Sequence, residues 1–170
     1  LLIDGIGVGQ GARPFGDGLD VIYSARGQKN FPIEFLESEF PVQILNYAIH
    51  QDSGGPGTFR GGAGVVRDVR VLTPKAILGT RMNGVKCPSW GGKGGKAGKS
   101  GSFVVNPGTP EERHVPPLGE NLELHYGDIV RVVTSGGGGW GNPAERDPLA
   151  VLQDVKDGFV SVHSAREDYG

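Results

Sequence analysis

The stretch that decides the fold is Asp52-Ser53-Gly54-Gly55-Pro56-Gly57-Thr58-Phe59-Arg60-Gly61-Gly62-Ala63-Gly64. Six glycines in thirteen residues, strung between two apolar segments, mark it as a fixed loop. Glycine reaches positive φ without a Cβ clash and lets a ligand or another strand approach the backbone, while Pro56 removes a donor and stiffens the middle. Two readings stand. One is a tight hairpin connection with Asp52 and Ser53 as turn formers. The other is an anion-binding concavity, in which successive backbone N–H groups face a ligand and Arg60 adds a planar charged fork suited to phosphate or carboxylate.

On either side the chain reads as strand. Upstream, residues 40–49 (FPVQILNYAI) combine β-branched and aromatic residues, with Pro41 tolerable near the start. Downstream, residues 65–72 (VVRDVRVL) alternate, putting Val65, Val69 and Val71 on one face and Asp68 and Arg70 on the other. Thr73-Pro74 ends that strand, and Ala76 to Leu78 begin a third that runs toward Arg81. Residues 32–37 fit a helical turn or a short strand. Residues 102–105 (SFVV) are a strand and residues 106–119 a polar, proline-marked loop. Leu122, Leu124 and Tyr126 alternate with Asn121, Glu123 and His125, which turns His125 to solvent, and residues 129–134 (IVRVVT) form another strand. That strand runs into Ser135-Gly136-Gly137-Gly138-Gly139-Trp140-Gly141. Four consecutive glycines are costly in unfolded-chain entropy, so a neighbouring element or a ligand must need the bare backbone, with Trp140 as the adjoining apolar wall. Asp147 is a helix N-cap with Pro148 at the first helical position, Leu149, Leu152 and Val155 on one face, and Gly158 as terminator. Ser161 caps a second short helix whose Val162, Ala165 and Tyr169 face inward. The fold class expected is α+β, mainly β: a glycine-rich antiparallel domain with short carboxy-terminal helices.

Composition narrows the function. Glycine at 31 of 170 residues is far above the usual ~7%, but it clusters between patterned strands, which argues for loops within a β fold rather than disorder. Seventeen basic against nineteen acidic residues give no electrostatic footprint for nucleic acid or an anionic membrane. No apolar run approaches the ~20 residues of a membrane span, and Leu1-Leu2-Ile3 is too short for a signal peptide. Cys87 is the only cysteine, so no intrachain disulfide forms, a cytoplasmic setting is expected, and the thiol reads as a buried spectator. The four histidines show no ligand-like spacing, so no metal site is expected in this segment. The chain opens without methionine and in mid-pattern, as a piece of something longer would.

Two nucleotide motifs fail on context. Gly7-Val8-Gly9-Gln10-Gly11-Ala12 is followed by Arg13-Pro14-Phe15-Gly16, which cannot open the helix that would hold a pyrophosphate. Gly98-Lys99-Ser100 would close a phosphate loop only if residue 93 were glycine; it is Lys93, and a strand rather than a helix follows. Residues 93–99 read instead as a cationic hairpin tip carrying Lys93, Lys96 and Lys99, or as an exposed loop reaching an anionic substrate or a neighbouring subunit. No catalytic triad, metal cluster or paired carboxylates emerge from spacing, and the catalytic residues stay unassigned.

Glu39-Phe40-Pro41-Val42, Asp52 through Gly57, Arg60-Gly61-Gly62-Ala63-Gly64-Val65, Gly136 through Pro143 and the closing residues 154–170, taken in that order, resemble the hydantoinase B/oxoprolinase family. The resemblance is to the carboxy-terminal third of such a subunit, so residues 1–170 are expected to be its carboxy-terminal domain. It implies an ATP-dependent reaction on a lactam or hydantoin (5-oxoproline-like) or, in the ketone carboxylases of the acetone and acetophenone type, on an enolised ketone; a non-catalytic assembly domain is the further alternative. It also implies that ATP and Mg are bound by a hydantoinase A-type companion, that a divalent metal belongs to the amino-terminal part of the B-type subunit, and that the partners are that companion, the rest of the B-type subunit and a small-molecule substrate. Handling phosphorylated intermediates calls for preorganised donors around negative charge. The candidate substrate- or phosphate-binding residues are Asp52, Ser53, Gly54, Gly55, Arg60, Gly61, Gly62, Gly137, Gly138 and Trp140.

Overall fold

The computed structural model describes residues 2–23 and 30–170; the part of the opening glycine-interrupted run that falls on residues 24–29, and Leu1, lie outside the described residues. The alternating segments become strands. An antiparallel sheet in the order β1-β2-β7-β4-β5 combines β1 (Val42–Ile49), β2 (Val65–Val71), β4 (Ser102–Val105), β5 (Arg113–Val115) and β7 (Ile129–Val133), and β3 (Lys75–Arg81) pairs with β6 (Leu118–His125) as a separate antiparallel ribbon. Val71, Val105, Leu124 and Val130 form the apolar core between sheet and ribbon, with Ala76, Leu78, Val115 and Val132 packed around them. α1 (Ile33–Glu39) precedes β1, buries Leu36, and anchors to the strand edge where Glu37 accepts the Ile44 N–H at 2.7 Å. The expected loop over residues 106–119 is shorter than its composition implies, because Arg113–Val115 pairs with β4.

β2 departs from simple amphipathic alternation. Arg67, on the face of Val65 and Val71, is 1% exposed, donates to Asp4 at 2.6 Å and lies over the Tyr47 ring. On the opposite face Asp68 is also buried and takes a two-point bond from its cross-strand neighbour Arg131, at 2.8 and 2.7 Å. Both faces of the strand are therefore covered.

A second core is made of backbone. Residues 136–139 run as a rod past three other segments, and an added Cβ would strike a carbonyl at every step: Ser53 O at 1.8 Å from Gly136, Gln10 O at 2.0 Å from Gly137, Trp90 O at 1.8 Å from Gly138, Pro56 O at 2.2 Å from Gly139. The contacted segment returns to residues 53–56 after three residues, the repeat of a polyproline II-type helix. Hydrogen bonds tie the rod to all its neighbours: Gly137 N to Gly62 O at 2.9 Å, Gly55 N to Gly137 O at 2.8 Å, Ala12 N to Gly138 O at 2.8 Å, Gly139 N to Lys96 O at 3.0 Å and Gly92 N to Gly139 O at 2.9 Å. None of the glycines in residues 52–64 or 136–139 has positive φ; the positive-φ residue in the first stretch is Asp52, at 59°. Close approach, and not a left-handed backbone, is what these glycines supply.

The carboxy-terminal helices form, with a corrected orientation. α2 (Pro148–Lys156) is capped by Asp147, whose side chain accepts from Leu149 N at 3.0 Å, and the chain leaves it through Gly158 at φ 80°. Its buried residue is Asp154, while Leu149 is 73% and Leu152 48% exposed. α3 (Val162–Ser164), capped by Ser161, continues as a π turn over Ala165–Tyr169, and Val162 points outward. Cys87 is exposed, against the expectation of burial, because the 82–90 connection lies on the surface. Among the described residues no helix is long and apolar enough to cross a membrane.

Candidate functional site: a glycine bundle edged by an ion network and a cleft

The structure brings nearly all the candidate residues to one place. Ser53 is fully buried; its hydroxyl accepts from Gly64 N at 2.9 Å and its carbonyl from Lys99 N at 2.8 Å. Gly54 sits where a Cβ would fall 2.0 Å from Gly61 O, Gly61 in the same relation to Gly137 O, and Gly62 to Leu19 O. Trp140 pairs with Phe59 by two backbone hydrogen bonds of 2.9 Å and covers Gly92 with its ring. Gly55, Gly137 and Gly138 belong to the rod contacts described above. The backbone donors of Gly55, Gly61, Gly62, Gly137 and Trp140 are therefore spent on other backbone carbonyls.

Arg60 stands beside the bundle and is 4% exposed. Its Nε donates to Asp154 at 3.2 Å, its Nη1 to Asp20 at 3.0 Å and to Gly61 O at 2.7 Å, and the guanidinium lies 4.6 Å from the Phe159 ring centroid. Arg146 completes a network: it grips both carboxylate oxygens of Asp17 at 2.7 Å, the second oxygen of Asp154 at 2.8 Å and Thr58 O at 3.2 Å. Burial works against both guanidinium charges, but the carboxylates outweigh it and raise both pKa values. Asp17 titrates below the usual carboxylate range: burial pushes it up, and the Arg146 bonds with the Arg60 N–H overcome that. Asp17, Asp20, Arg146 and Asp154 escape sequence reasoning because 137 positions separate the first from the last, and their only local signature is an aspartate on the inner face of α2.

An open cleft of about 200 Å³ runs along the other side. Asp52, Gly54 and Pro56 form one wall, Lys96, Ala97 and Lys99 another, and Val160, Ser164, Asp168 and Tyr169 close it. Residues 93–99 thus turn at Lys93 and Gly94 but are not a projecting tip: Gly95 and Gly98 pack on the backbone of residues 136–140 while the lysines face outward. Lys96 reaches Asp168 at 2.7 Å, and Lys99 makes no ion pair among the described residues. Asp52 accepts from Ser161 N at 2.7 Å; burial raises its pKa, but its hydrogen bonds to Ser161 and Ser164 win and hold it low. Burial pushes the Tyr169 phenol up to about 12. Among the described residues no group of three or more His, Cys, Asp or Glu side chains is placed to hold a metal ion.

His50 lies next to this cleft. Its Nδ1 donates to Thr134 O at 3.2 Å, and burial, reinforced by Lys99, lowers its pKa. A histidine held neutral by the fold contributes stability that is present above its unfolded pKa of ~6.5 and is lost as the pH falls below that value. Denaturant titrations between pH 7.5 and 5 are expected to show falling stability on acidification, and His50→Asn, which keeps a donor near Nδ1, is expected to flatten that slope.

The family model for hydantoinase B/oxoprolinase matches residues 1–143, and the chain belongs to that family. The match stops short of the closing residues 154–170. An uncharacterised protein of Methanocaldococcus jannaschii is 41% identical over 142 residues, covering 82% of this chain and 24% of its own length. Caprolactamase subunit beta of Pseudomonas jessenii is 36% identical over 150 residues, covering 81% and 24%. The crystal structure of ATP-dependent caprolactamase from Pseudomonas jessenii superposes with a TM-score of 0.79 at 29% identity, covering 97% of this chain and 29% of that one. Acetone carboxylase in its nucleotide-free structure shares the fold, with a TM-score of 0.77 at 23% identity over 96% of this chain and 26% of that one. The chain spans about a quarter of the length of these two curated relatives.

Proposed function

We infer that this chain works as the carboxy-terminal domain of a B-type subunit in an ATP-dependent amidohydrolase that opens a lactam or hydantoin through a phosphorylated intermediate. The observation that carries the reading is its family membership together with the whole-chain likeness to an ATP-dependent caprolactamase. An amide carbonyl is a poor electrophile; phosphorylating its oxygen lets water add to the carbon, the ring C–N bond then breaks as the amine leaves with a proton, and a second water hydrolyses the resulting acyl phosphate to the ring-opened carboxylate and phosphate. ATP and Mg fall to a hydantoinase A-type companion, and a divalent metal to the rest of the B-type subunit. The bundle residues serve this chemistry by holding the cleft walls in place, since residues 53–56 and 96–99 are both pinned to the rod. Contact with a phosphate or carboxylate falls to the cleft, where Lys99, which makes no ion pair among the described residues, supplies positive charge beside Gly54, and Lys96 is held by Asp168.

Calorimetric titration with Mg-ATP tests the division of labour. The isolated chain is expected to give no heat of tight binding, whereas addition of the companion and the rest of a B-type subunit should yield ATP-dependent ring opening. Micromolar binding by the chain alone would return the nucleotide site to residues 90–100. The same assembly supplied with labelled bicarbonate separates the ketone-carboxylase alternative: a hydrolase leaves the label in solution, and a carboxylase fixes it in product.

A further inference from the structure

Asparagine is a thermolabile residue, and how long it lasts depends on its surroundings. The chain places it before glycine once, at Asn83-Gly84, in the connection from β3 to Trp90. β3 ends its pairing with β6 at Arg81, and Met82 N makes a last bond to Pro117 O at 2.8 Å. Beyond it the backbone bends from Asn83 to Cys87, and none of residues 83–88 shares a backbone hydrogen bond among the described residues. Asn83 is exposed and Gly84 follows at φ 75°, so the pair forms an open turn with an uncommitted Gly84 N–H beside a free side-chain amide. The other five asparagines lack that combination. Asn106 and Asn142 precede prolines, which have no N–H, and their side chains bond to Asp128 at 2.8 Å and to Ala144 N at 3.2 Å. Asn46 and Asn121 lie in β1 and β6 ahead of Tyr47 and Leu122, and Asn30 donates to the Tyr47 hydroxyl ahead of Phe31.

We propose that Asn83 is a site of spontaneous covalent modification, at which the Gly84 nitrogen attacks the side-chain amide carbon and residue 83 ends as aspartate or isoaspartate. The new N–C bond forms as the amide C–N bond breaks. The Gly84 N–H proton passes to solvent base, and the amide nitrogen takes a proton from water and leaves as ammonia. A water molecule then opens the cyclic imide: attack at its main-chain carbonyl routes the backbone through the side chain and gives isoaspartate, and attack at the other carbonyl gives aspartate. Glycine suits the attacking position because it has no Cβ to crowd the ring closure. Either product adds a negative charge to the loop that carries Lys86 and Cys87. The isoaspartyl form also lengthens the main chain where Gly84 packs toward Ser135, whose Oγ lies 3.2 Å from the place of a Gly84 Cβ and which leads into the rod. The modification needs only water, so it is independent of the reaction proposed above.

The test is to hold the folded 170-residue chain in mildly alkaline buffer, digest samples with trypsin and follow each asparagine by mass. Arg81 and Lys86 release Asn83 in the short peptide 82–86. That peptide is expected to gain the mass of amide-to-acid conversion at least about tenfold faster than peptides carrying the other asparagines, a barrier difference of ~1.4 kcal/mol. Part of the product should accept a methyl group from an S-adenosylmethionine-dependent isoaspartate methyltransferase, which aspartate does not. Asn83→Gln, whose longer side chain disfavours the ring, should abolish both signals and keep the parent melting temperature, since the side chain it replaces is exposed. A folded chain whose peptide 82–86 keeps its mass, or converts no faster than the others, overturns the proposal. So does conversion more than about tenfold slower in the folded chain than in urea, because the fold would then restrain the turn by ~1.4 kcal/mol or more.

Discussion

Gly136→Ala is expected to leave the chain unable to assemble its glycine bundle. The new methyl would fall 1.8 Å from Ser53 O and 2.2 Å from Ser53 C, backbone atoms that cannot rotate away. Ser53 is fully buried and bonded on both sides, to Gly64 and to Lys99, so relief would require separating residues 52–64 from the rod. Overpacking a core that can partly relax costs roughly 1–3 kcal/mol. Here the obstacle is backbone, so a loss at or beyond about 3 kcal/mol is expected, a large part of the 5–15 kcal/mol that holds a typical domain together. Gly79→Ala in β3 is the control, because the nearest atom to its added Cβ is Gly119 O at 3.8 Å, an ordinary contact. That change is expected to be neutral or to stabilise by a few tenths of a kcal/mol through the unfolded chain, up to about 1. Urea unfolding of the two variants beside the parent measures the contrast.

That comparison also shows what the sequence could and could not carry. Strands β2 and β6 are legible because a half-buried strand imposes period two on its side chains, β1, β4 and β7 because β-branched and aromatic residues cluster in them, and the Asp147-Pro148 and Ser161 caps because a helix start needs those side chains locally. The glycine runs announce that bare backbone is needed. They do not say by whom, since the three segments that meet the rod come from residues 9–12, 53–62 and 90–98 and nothing local links them to it. Positive φ is the wrong half of the usual argument for glycine here; close approach is the right one. The α2 face misleads for a related reason. Leu149, Leu152 and Val155 look like an inward stripe, but Arg60 and Arg146 together make burial of Asp154 favourable, and the helix turns toward them. β5 is missed because three residues, two of them exposed, leave no periodic signal.

Arg146→Ala is expected to destabilise the chain by about 3–5 kcal/mol, the cost of removing one partner from a buried ionic network. Asp154, with its side chain 10% exposed, would keep only the longer Arg60 contact at 3.2 Å, and Asp17 would lose two bonds of 2.7 Å. Asp17 is more open to water at 37% side-chain exposure, so most of the penalty falls on Asp154. The pH dependence provides a signature that simple loss of packing would not. Because folding lowers the Asp17 pKa, its contribution is fully present above the unfolded value of ~3.9 and is lost as the pH falls through the folded one. The parent should therefore lose stability on acidification below about pH 4 more steeply than Arg146→Ala, whose Asp17 keeps only the bond from the Arg60 N–H at 2.7 Å. Arg60→Ala should destabilise for the same reason, since its donors are all spent on Asp20, Asp154 and Gly61. In the assembled enzyme, turnover normalised to intact complex should then be unchanged by Arg60→Ala. A loss of roughly 1.5–3 kcal/mol in transition-state binding, the worth of a charge-assisted hydrogen bond, would instead put Arg60 on the substrate.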